Sequence, residues 1–322
     1  MQTNPLKKIK IGTRGSPLAL KQTEMVCDAL RDVMPALEVS IEIIKTSGDW
    51  KPSDGEVRLS ADNGGKAQFA KEIEAAMLRG DIDIAVHSMK DMESFLHEDL
   101  TIPWMMPRED ARDALIGAGV AENIQNINDI PEGCKVGTAS ARRAAFLLSK
   151  RPDLHVEPFR GNVQTRLQKL KNRQVDVTLL AVAGMNRLGI EEEMSAIVPV
   201  EDMLPACAQG AVGIEVRKKQ EQELAFIGQI SCGKTMLCVT AEREVLRVLA
   251  GSCHTPIGAY AELQAGEMYL RAALCSLDGK HHYAVEGRAP VSCMEQSVAL
   301  GAKLGQDLKD KTPDDILADI LG

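Results

Sequence analysis

Five short apolar runs in this chain each break into a loop of Gly, Ser, Thr or Ala that carries arginine or lysine. The loops are Gly12-Thr13-Arg14-Gly15-Ser16, His87-Ser88-Met89-Lys90-Asp91, Gly137-Thr138-Ala139-Ser140-Ala141-Arg142-Arg143, Arg160-Gly161-Asn162 and Ala183-Gly184-Met185-Asn186-Arg187. Guanidinium and ammonium groups bind carboxylates through charge-assisted hydrogen bonds, and loop amides add neutral donors. The chain as a whole carries a net charge of −8. The repetition therefore points to one cationic crevice for a ligand with several negative charges rather than to a basic surface. Asp91 is the one carboxylate among these loops. A carboxylate there weakens binding of an anion, so its presence suggests that positive charge develops at that point during a reaction.

The helix starts point the same way. Ser140 is a candidate N-cap for a helix over 141–150, stopped by Pro152, which puts Arg142 and Arg143 in its first turn. Arg166 has the same place in a helix expected over 164–172. Cations at a helix start oppose the macrodipole at a cost of about 0.3–1 kcal/mol each. That cost is expected where an anion docks on the helix. Cys253, in Gly251-Ser252-Cys253-His254-Thr255-Pro256, falls on a small-residue loop after a predicted helix, where His254 or a nearby cation would favour the thiolate. It reads either as an ordinary loop cysteine or as a nucleophile for covalent attachment beside the crevice.

The elements that must position these residues alternate strand and helix: strand 9–11, helix 17–33, strand 37–46, helix 67–78 and strand 82–86. Residues 50–65 have no periodicity and read as a long mobile loop. Residues 103–107 read as a crossing into a second α/β unit over about 110–198, and 199–205 as the return to a strand at 211–216. Two crossings predict a hinge. From about 230 the pattern changes to a helix at 235–250, strands at 257–263, 268–276 and 281–288, and two terminal helices. The expected fold class is thus α/β: two α/β domains with a hinge plus a smaller α+β third domain. The expected boundaries are 1–106 with 208–228, then 107–207, then 229–322.

At 322 residues, 44% hydrophobic and 26% charged, the composition is that of an ordinary soluble protein. The first ten residues lack a leader's apolar stretch, and no run reaches the ~18 apolar residues of a membrane span. The eight cysteines contain no C-x-x-C pair and no metal-ligand spacing, so a reducing, cytoplasmic compartment is expected, with no metal. Acidic balance and few aromatics argue against nucleic acid. Gly228 to Thr235 fits the phosphate-loop pattern G-x4-G-K-[ST], but the preceding segment reads as a charged helix where a buried strand is needed. No G-x-G-x-x-G occurs. His281 and His282 would point to opposite faces of a strand and cannot share an ion.

Taken in order, these segments resemble the porphobilinogen deaminase (hydroxymethylbilane synthase) family over nearly the whole chain. The resemblance is carried by Gly12-Thr13-Arg14-Gly15-Ser16-Pro17-Leu18-Ala19-Leu20, Asp83-Ile84-Ala85-Val86-His87-Ser88-Met89-Lys90-Asp91, Arg108-Glu109-Asp110-Ala111-Arg112-Asp113-Ala114, the loop from Val136 to Arg143, Arg160-Gly161-Asn162-Val163-Gln164-Thr165-Arg166-Leu167, Leu180-Ala181-Val182-Ala183-Gly184 with Arg187, and Gln209-Gly210-Ala211-Val212-Gly213-Ile214-Glu215. It implies that the first two domains are like those of periplasmic binding proteins, that the protein is monomeric, and that a dipyrromethane cofactor is joined to Cys253. It implies stepwise condensation of four porphobilinogen molecules, with loss of ammonia, into a linear tetrapyrrole for haem biosynthesis. By resemblance Asp91 is catalytic. Ser88, Lys90, Thr138, Ser140, Arg142 and Arg143 bind the cofactor, and Arg14, Ser16, Arg160, Arg166, Arg187, Lys66 and Gln209 bind the substrate.

Five positions depart from the family pattern. Asp62 and Ala67 stand where a loop lysine and a loop glycine are usual, with Lys66 retained; Glu93 replaces a proline, and Ala208 and Ser252 replace glycines. Two other readings stay open from sequence: a non-catalytic carboxylate-binding protein of the same bilobal fold, and a nucleotide-dependent enzyme using Gly228 to Thr235.

Overall fold

The structure, a computed structural model, describes residues 8–46, 70–252 and 254–321. The loop expected at 50–65, Lys66 and Cys253 lie outside the described residues. The chain first forms β1 (Lys8–Thr13), α1 (Pro17–Val33), β2 (Glu38–Ile43), α2 (Lys71–Arg79), β3 (Ile84–Ser88) and β4 (Leu100–Met105). It then crosses to β5 (Asp113–Gly117), β6 (Lys135–Gly137), α3 (Ala141–Lys150), β7 (His155–Glu157), α4 (Val163–Lys171), β8 (Val177–Ala181), α5 (Val182–Leu188) and β9 (Ala196–Ile197). It returns through β10 (Val212–Arg217) and ends in α6 (Gly233–Val248), β11 (Ile257–Gln264), β12 (Glu267–Cys275), β13 (His282–Pro290), α7 (Met294–Lys311) and α8 (Asp314–Leu321).

Two five-stranded sheets share one plan, ordered β2-β1-β3-β10-β4 and β7-β6-β8-β5-β9. In the first, Ile11 of β1 lies opposite Ile41 of β2 and Ile84 of β3 in parallel register. In the second, Val136 of β6 lies opposite Val156 of β7 and Val177 of β8, again in parallel. Ile9, Ile11, Ile84, Val136 and Val177 are completely buried, as central strands covered on both faces must be. The antiparallel member of each sheet, β10 or β5, is the strand entered after crossing from the other lobe. The carboxyl ends of the parallel strands are where ligands bind in such sheets. Residues 103–107, expected as a crossing, in fact mostly complete β4. Pro103 is tolerated there because β4 is an edge strand that pairs only with β10.

The third domain is an antiparallel meander, β11-β12-β13, with α6 and α7 packed through Val245, Leu270 and Leu304. Phe146 of α3 is buried against it: its ring meets His282 edge-on at 5.6 Å, and its Cε2 would lie 3.0 Å from a Cβ at Gly258. Glu242 of α6 joins this domain to both crossings. Its carboxylate takes Arg108 in a bidentate pair at 2.5 and 3.0 Å and accepts the amides of Ala208 at 2.7 Å and Ala261 at 2.8 Å.

Ala208, where the family has glycine, sits at φ 62 in the left-handed region. A Cβ there costs about 1–2 kcal/mol, partly offset by the roughly 0.5–1 kcal/mol of chain entropy that glycine loses. Ala208→Gly is therefore expected to stabilise the fold by up to ~1 kcal/mol, read as a raised urea midpoint. A lowered midpoint would show that the crossing is not strained.

Candidate active site

A cavity of about 570 Å³ opens between the two lobes, lined by loops from both and by Ser252, His254 and Thr255 of the third domain. Arg14 and Ser16 enter it from the end of β1. Ser16 caps α1, its hydroxyl accepting the Ala19 amide at 3.3 Å, with Pro17 pre-set for the first turn. Lys90 and Asp91 enter from the single-turn helix Met89–Asp91 directly after β3. Arg243 of α6 holds that turn from behind, donating to the carbonyls of Met89 at 3.4 Å, Met92 at 3.2 Å and Glu93. The Glu93 substitution therefore leaves this backbone anchor in place.

From the second lobe, Ser140 caps α3 by accepting the Arg143 amide at 3.4 Å, and Asn162 caps α4 by accepting the Thr165 amide at 2.9 Å. Arg160 and Arg166 also line the cavity, the latter donating from Nε to Gly161 O at 2.8 Å.

Arg142 and Arg143 face the cavity but are not solvated cations; they are 3% and 5% exposed. Arg142 Nη2 donates to Asp113 Oδ2 at 2.7 Å and Nη1 to Leu204 O at 2.8 Å. Arg143 gives Nε and Nη2 to Asp113 Oδ1 at 3.1 and 2.7 Å and Nη1 to Leu179 O at 2.8 Å. Burial pushes the Asp113 carboxyl up, but the two guanidiniums outweigh it and hold it well below the usual carboxylate range. Lys90, its Nζ 3.3 Å from Gln209 Oε1, is pushed down to about 8, first by burial and then by Arg143. The cost of cations at the α3 start, expected from sequence to fall on the macrodipole, is met instead by a buried counter-ion.

Three expected residues sit elsewhere. The Ser88 hydroxyl donates to Gln22 Oε1 at 3.0 Å and lines a small adjoining cavity with Arg14, Ser16 and Asp91. Thr138 is buried and its hydroxyl accepts the Ser140 amide at 3.1 Å, shaping the α3 start. Arg187 is buried with Nη2 on Gly210 O at 2.7 Å and does not line the large cavity. Gln209 lines it, but its amide nitrogen is directed to Ala111 O at 2.6 Å and Asp113 Oδ1 at 2.9 Å. Sequence reasoning missed Asp113 and Arg243 as parts of the site. Asp113 was signalled by its place in the segment Arg108 to Ala114 and by an acidic residue opening an apolar run, neither of which gives it a role, and Arg243 looked like any helical arginine.

The phosphate-loop reading fails. Residues Ala225–Ile230 form a 3-10 helix in place of the required strand, and the Thr235 hydroxyl is buried, accepting the Arg108 amide at 3.0 Å. Among the described residues no group of His, Cys, Asp or Glu could hold a metal ion.

Two lobes of one sheet plan, a cationic cavity between them and a third domain closing one side define a bilobal α/β protein built around a polyanionic ligand. Residues 9–225 match the family model "Porphobilinogen deaminase, dipyromethane cofactor binding domain", and 236–310 match "Porphobilinogen deaminase, C-terminal domain". The chain belongs to the porphobilinogen deaminase family, whose cofactor is dipyrromethane. It is 44% identical to the chloroplastic porphobilinogen deaminase of Oryza sativa subsp. japonica, over 94% of this chain and 84% of that one. It is 42% identical to the porphobilinogen deaminase of Paracoccus denitrificans, over 97% of each. Among solved structures it is similar to the periplasmic aliphatic sulphonate binding protein SsuA from Escherichia coli, at 12% identity and a TM-score of 0.40 over 98% of this chain and 78% of that one.

Proposed function

We propose that this protein is a hydroxymethylbilane synthase, condensing four porphobilinogen molecules with release of ammonia into a linear tetrapyrrole. The observation that carries the reading is the inter-lobe cavity whose walls hold Lys90, Arg142, Arg143, Arg160 and Arg166 with Asp91, the one carboxylate among the described residues that line it. Each porphobilinogen brings an acetate and a propionate, so a growing chain needs cations on both walls.

The residues present fit a dipyrromethane. Arg142 Nε is buried with no partner among the described residues, a cost of about 1–3 kcal/mol that a ligand carboxylate would relieve. Lys90, Ser140, Arg142 and Arg143 would hold its carboxylates, and Cys253 would anchor it, since Ser252 and His254 on either side line the cavity. When bound, it supplies the free pyrrole carbon to which the first substrate unit is joined. Arg14, Ser16, Arg160 and Arg166 bind and orient substrate carboxylates, and the N-termini of α1 and α4 add amide donors to the same task. As ammonia leaves the aminomethyl group, the Asp91 carboxylate stabilises the positive charge that develops on the pyrrole nitrogen and assists proton transfer there.

The boundaries 1–106 with 208–228, 107–207 and 229–322 are supported by β10 lying in the first sheet. A reducing, cytoplasmic setting is supported by free, buried thiols at Cys27, Cys134, Cys207, Cys238 and Cys275. No helix among the described residues is long and apolar enough to cross a membrane.

Incubation with porphobilinogen tests the reading: four ammonia molecules should appear per tetrapyrrole detected by mass spectrometry. Binding without ammonia release would favour a non-catalytic carboxylate-binding protein instead. The division of labour is tested separately. Arg142→Leu should leave the protein at its bare-chain mass. Arg166→Leu should load cofactor but raise KM more than about tenfold, because one charge-assisted hydrogen bond is worth ~1.5–3 kcal/mol. Normal loading in the first variant together with a normal KM in the second would contradict the cradle.

A further inference from the structure

Asp113 has no role in the chemistry proposed above, yet every donor around it belongs to the cavity wall. It is completely buried at the start of β5, and both its oxygens are occupied. Oδ2 takes Arg142 Nη2 at 2.7 Å, while Oδ1 takes Arg143 Nη2 at 2.7 Å and Gln209 Nε2 at 2.9 Å. Adjacent guanidiniums repel each other in a buried setting. One carboxylate between them leaves a single net positive charge and fixes both planar forks, because an Arg–carboxylate pair is directional. The two arginines then differ. Arg143 places all three of its nitrogens on Asp113 and Leu179 O, leaving one N–H on each terminal nitrogen for a ligand, whereas Arg142 retains a buried Nε with no partner among the described residues.

Gln209 extends the constraint to the other lobe. It lies on the return crossing, its amide also reaches Ala111 O on the outgoing crossing at 2.6 Å, and its Oε1 faces Lys90 Nζ at 3.3 Å. Lys90 belongs to the first lobe and the arginine pair to the second. A continuous polar connection between them runs through Gln209 and Asp113.

We propose that Asp113 is a positioning residue: it sets the net charge and aim of the Arg142–Arg143 pair and, through Gln209, keeps Lys90 of the opposite lobe in register with them. The cationic wall is thereby assembled from both lobes before any ligand arrives. The inference rests on the cavity's being a polyanion site and not on which polyanion it takes.

Lys90 is the reporter, since the charges facing it are Arg143, Asp91, Asp113 and Arg142. Titrating 13C-methylated lysines by NMR in the cofactor-free full-length protein, with Lys90 assigned from Lys90→Arg, reads its midpoint. Asp113→Asn removes the carboxylate's field, so the midpoint should move down. Asp113→Glu keeps the charge and should restore most of the shift. Gln209→Leu removes the ammonium's acceptor and should move it down as well, which keeps the test intact if Asp113→Asn fails to fold. A Lys90 midpoint unmoved in either Asp113→Asn or Gln209→Leu, or lowered equally by Asp113→Glu, overturns the proposal. Wild-type protein that makes no tetrapyrrole would overturn the functional reading and leave this titration untouched.

Discussion

Cys253→Ser protein is expected to fold, to purify at the bare-chain mass of 34.9 kDa and to make no detectable tetrapyrrole. A serine hydroxyl is almost wholly protonated at neutral pH and is a far weaker nucleophile than a thiolate, so the cofactor would not be attached. The fold should survive because neighbouring groups shape the loop. The Thr255 hydroxyl accepts the Ser252 amide at 3.1 Å and donates to Ser252 O at 2.6 Å, and Gly251 O accepts the Ser94 hydroxyl at 2.9 Å. The other thiols are poor substitutes. Burial pushes Cys207 up to about 12 and Cys238 and Cys275 to about 11. Cys232 is the instructive control: burial opposes it, but hydrogen bonds from Thr235 and the start of α6 lower its thiol, and it does not line the cavity. Cys232→Ser should load normally. A Cys253→Ser chain that still carries the added mass would place the attachment elsewhere.

The elements that position the site were legible where the hydrophobic pattern was strong. Helix α1 begins at Pro17 and ends at Val33 as expected, and α3 spans the expected 141–150 behind its Ser140 cap. Strands β4, β5 and β9 were not legible, for different reasons. Pro103 disguised an edge strand as a crossing. β5 opens on a charged residue because its first side chain, Asp113, is the counter-ion of two arginines. β9 has only two residues. At the site, loop composition and order along the chain identified the cationic residues, since each follows a strand that ends at the cavity. Burial was not legible. Arginines in a first helical turn read as exposed unless their partner is known, and Asp113 lies 29 residues before Arg142. Arg187 shows the converse: it has the same loop context as the others, but the α5 turn directs it to the Gly210 carbonyl.

Asp91→Asn is expected to keep the fold and the cofactor while slowing condensation by about 10²–10⁴-fold, the usual contribution of a positioned acid or base. Asparagine preserves the size of the side chain, and the turn that carries it is held through backbone carbonyls by Arg243, so geometry should change little. What is lost is the negative charge facing a reacting centre that becomes positive, in a cavity otherwise walled by cations. Asp91→Glu keeps that charge on a longer arm and should retain more activity than Asn. One complication is predictable in sign. Asp91 supports the charged form of Lys90, so its removal lowers the Lys90 pKa further from about 8. A deficit caused by losing the Lys90 charge would shrink as pH falls and the ammonium is restored. A deficit intrinsic to Asp91 would persist. Single-turnover rates on cofactor-loaded protein at two pH values separate the two, and an Asn variant that condenses porphobilinogen at the wild-type rate at both would remove Asp91 from the mechanism.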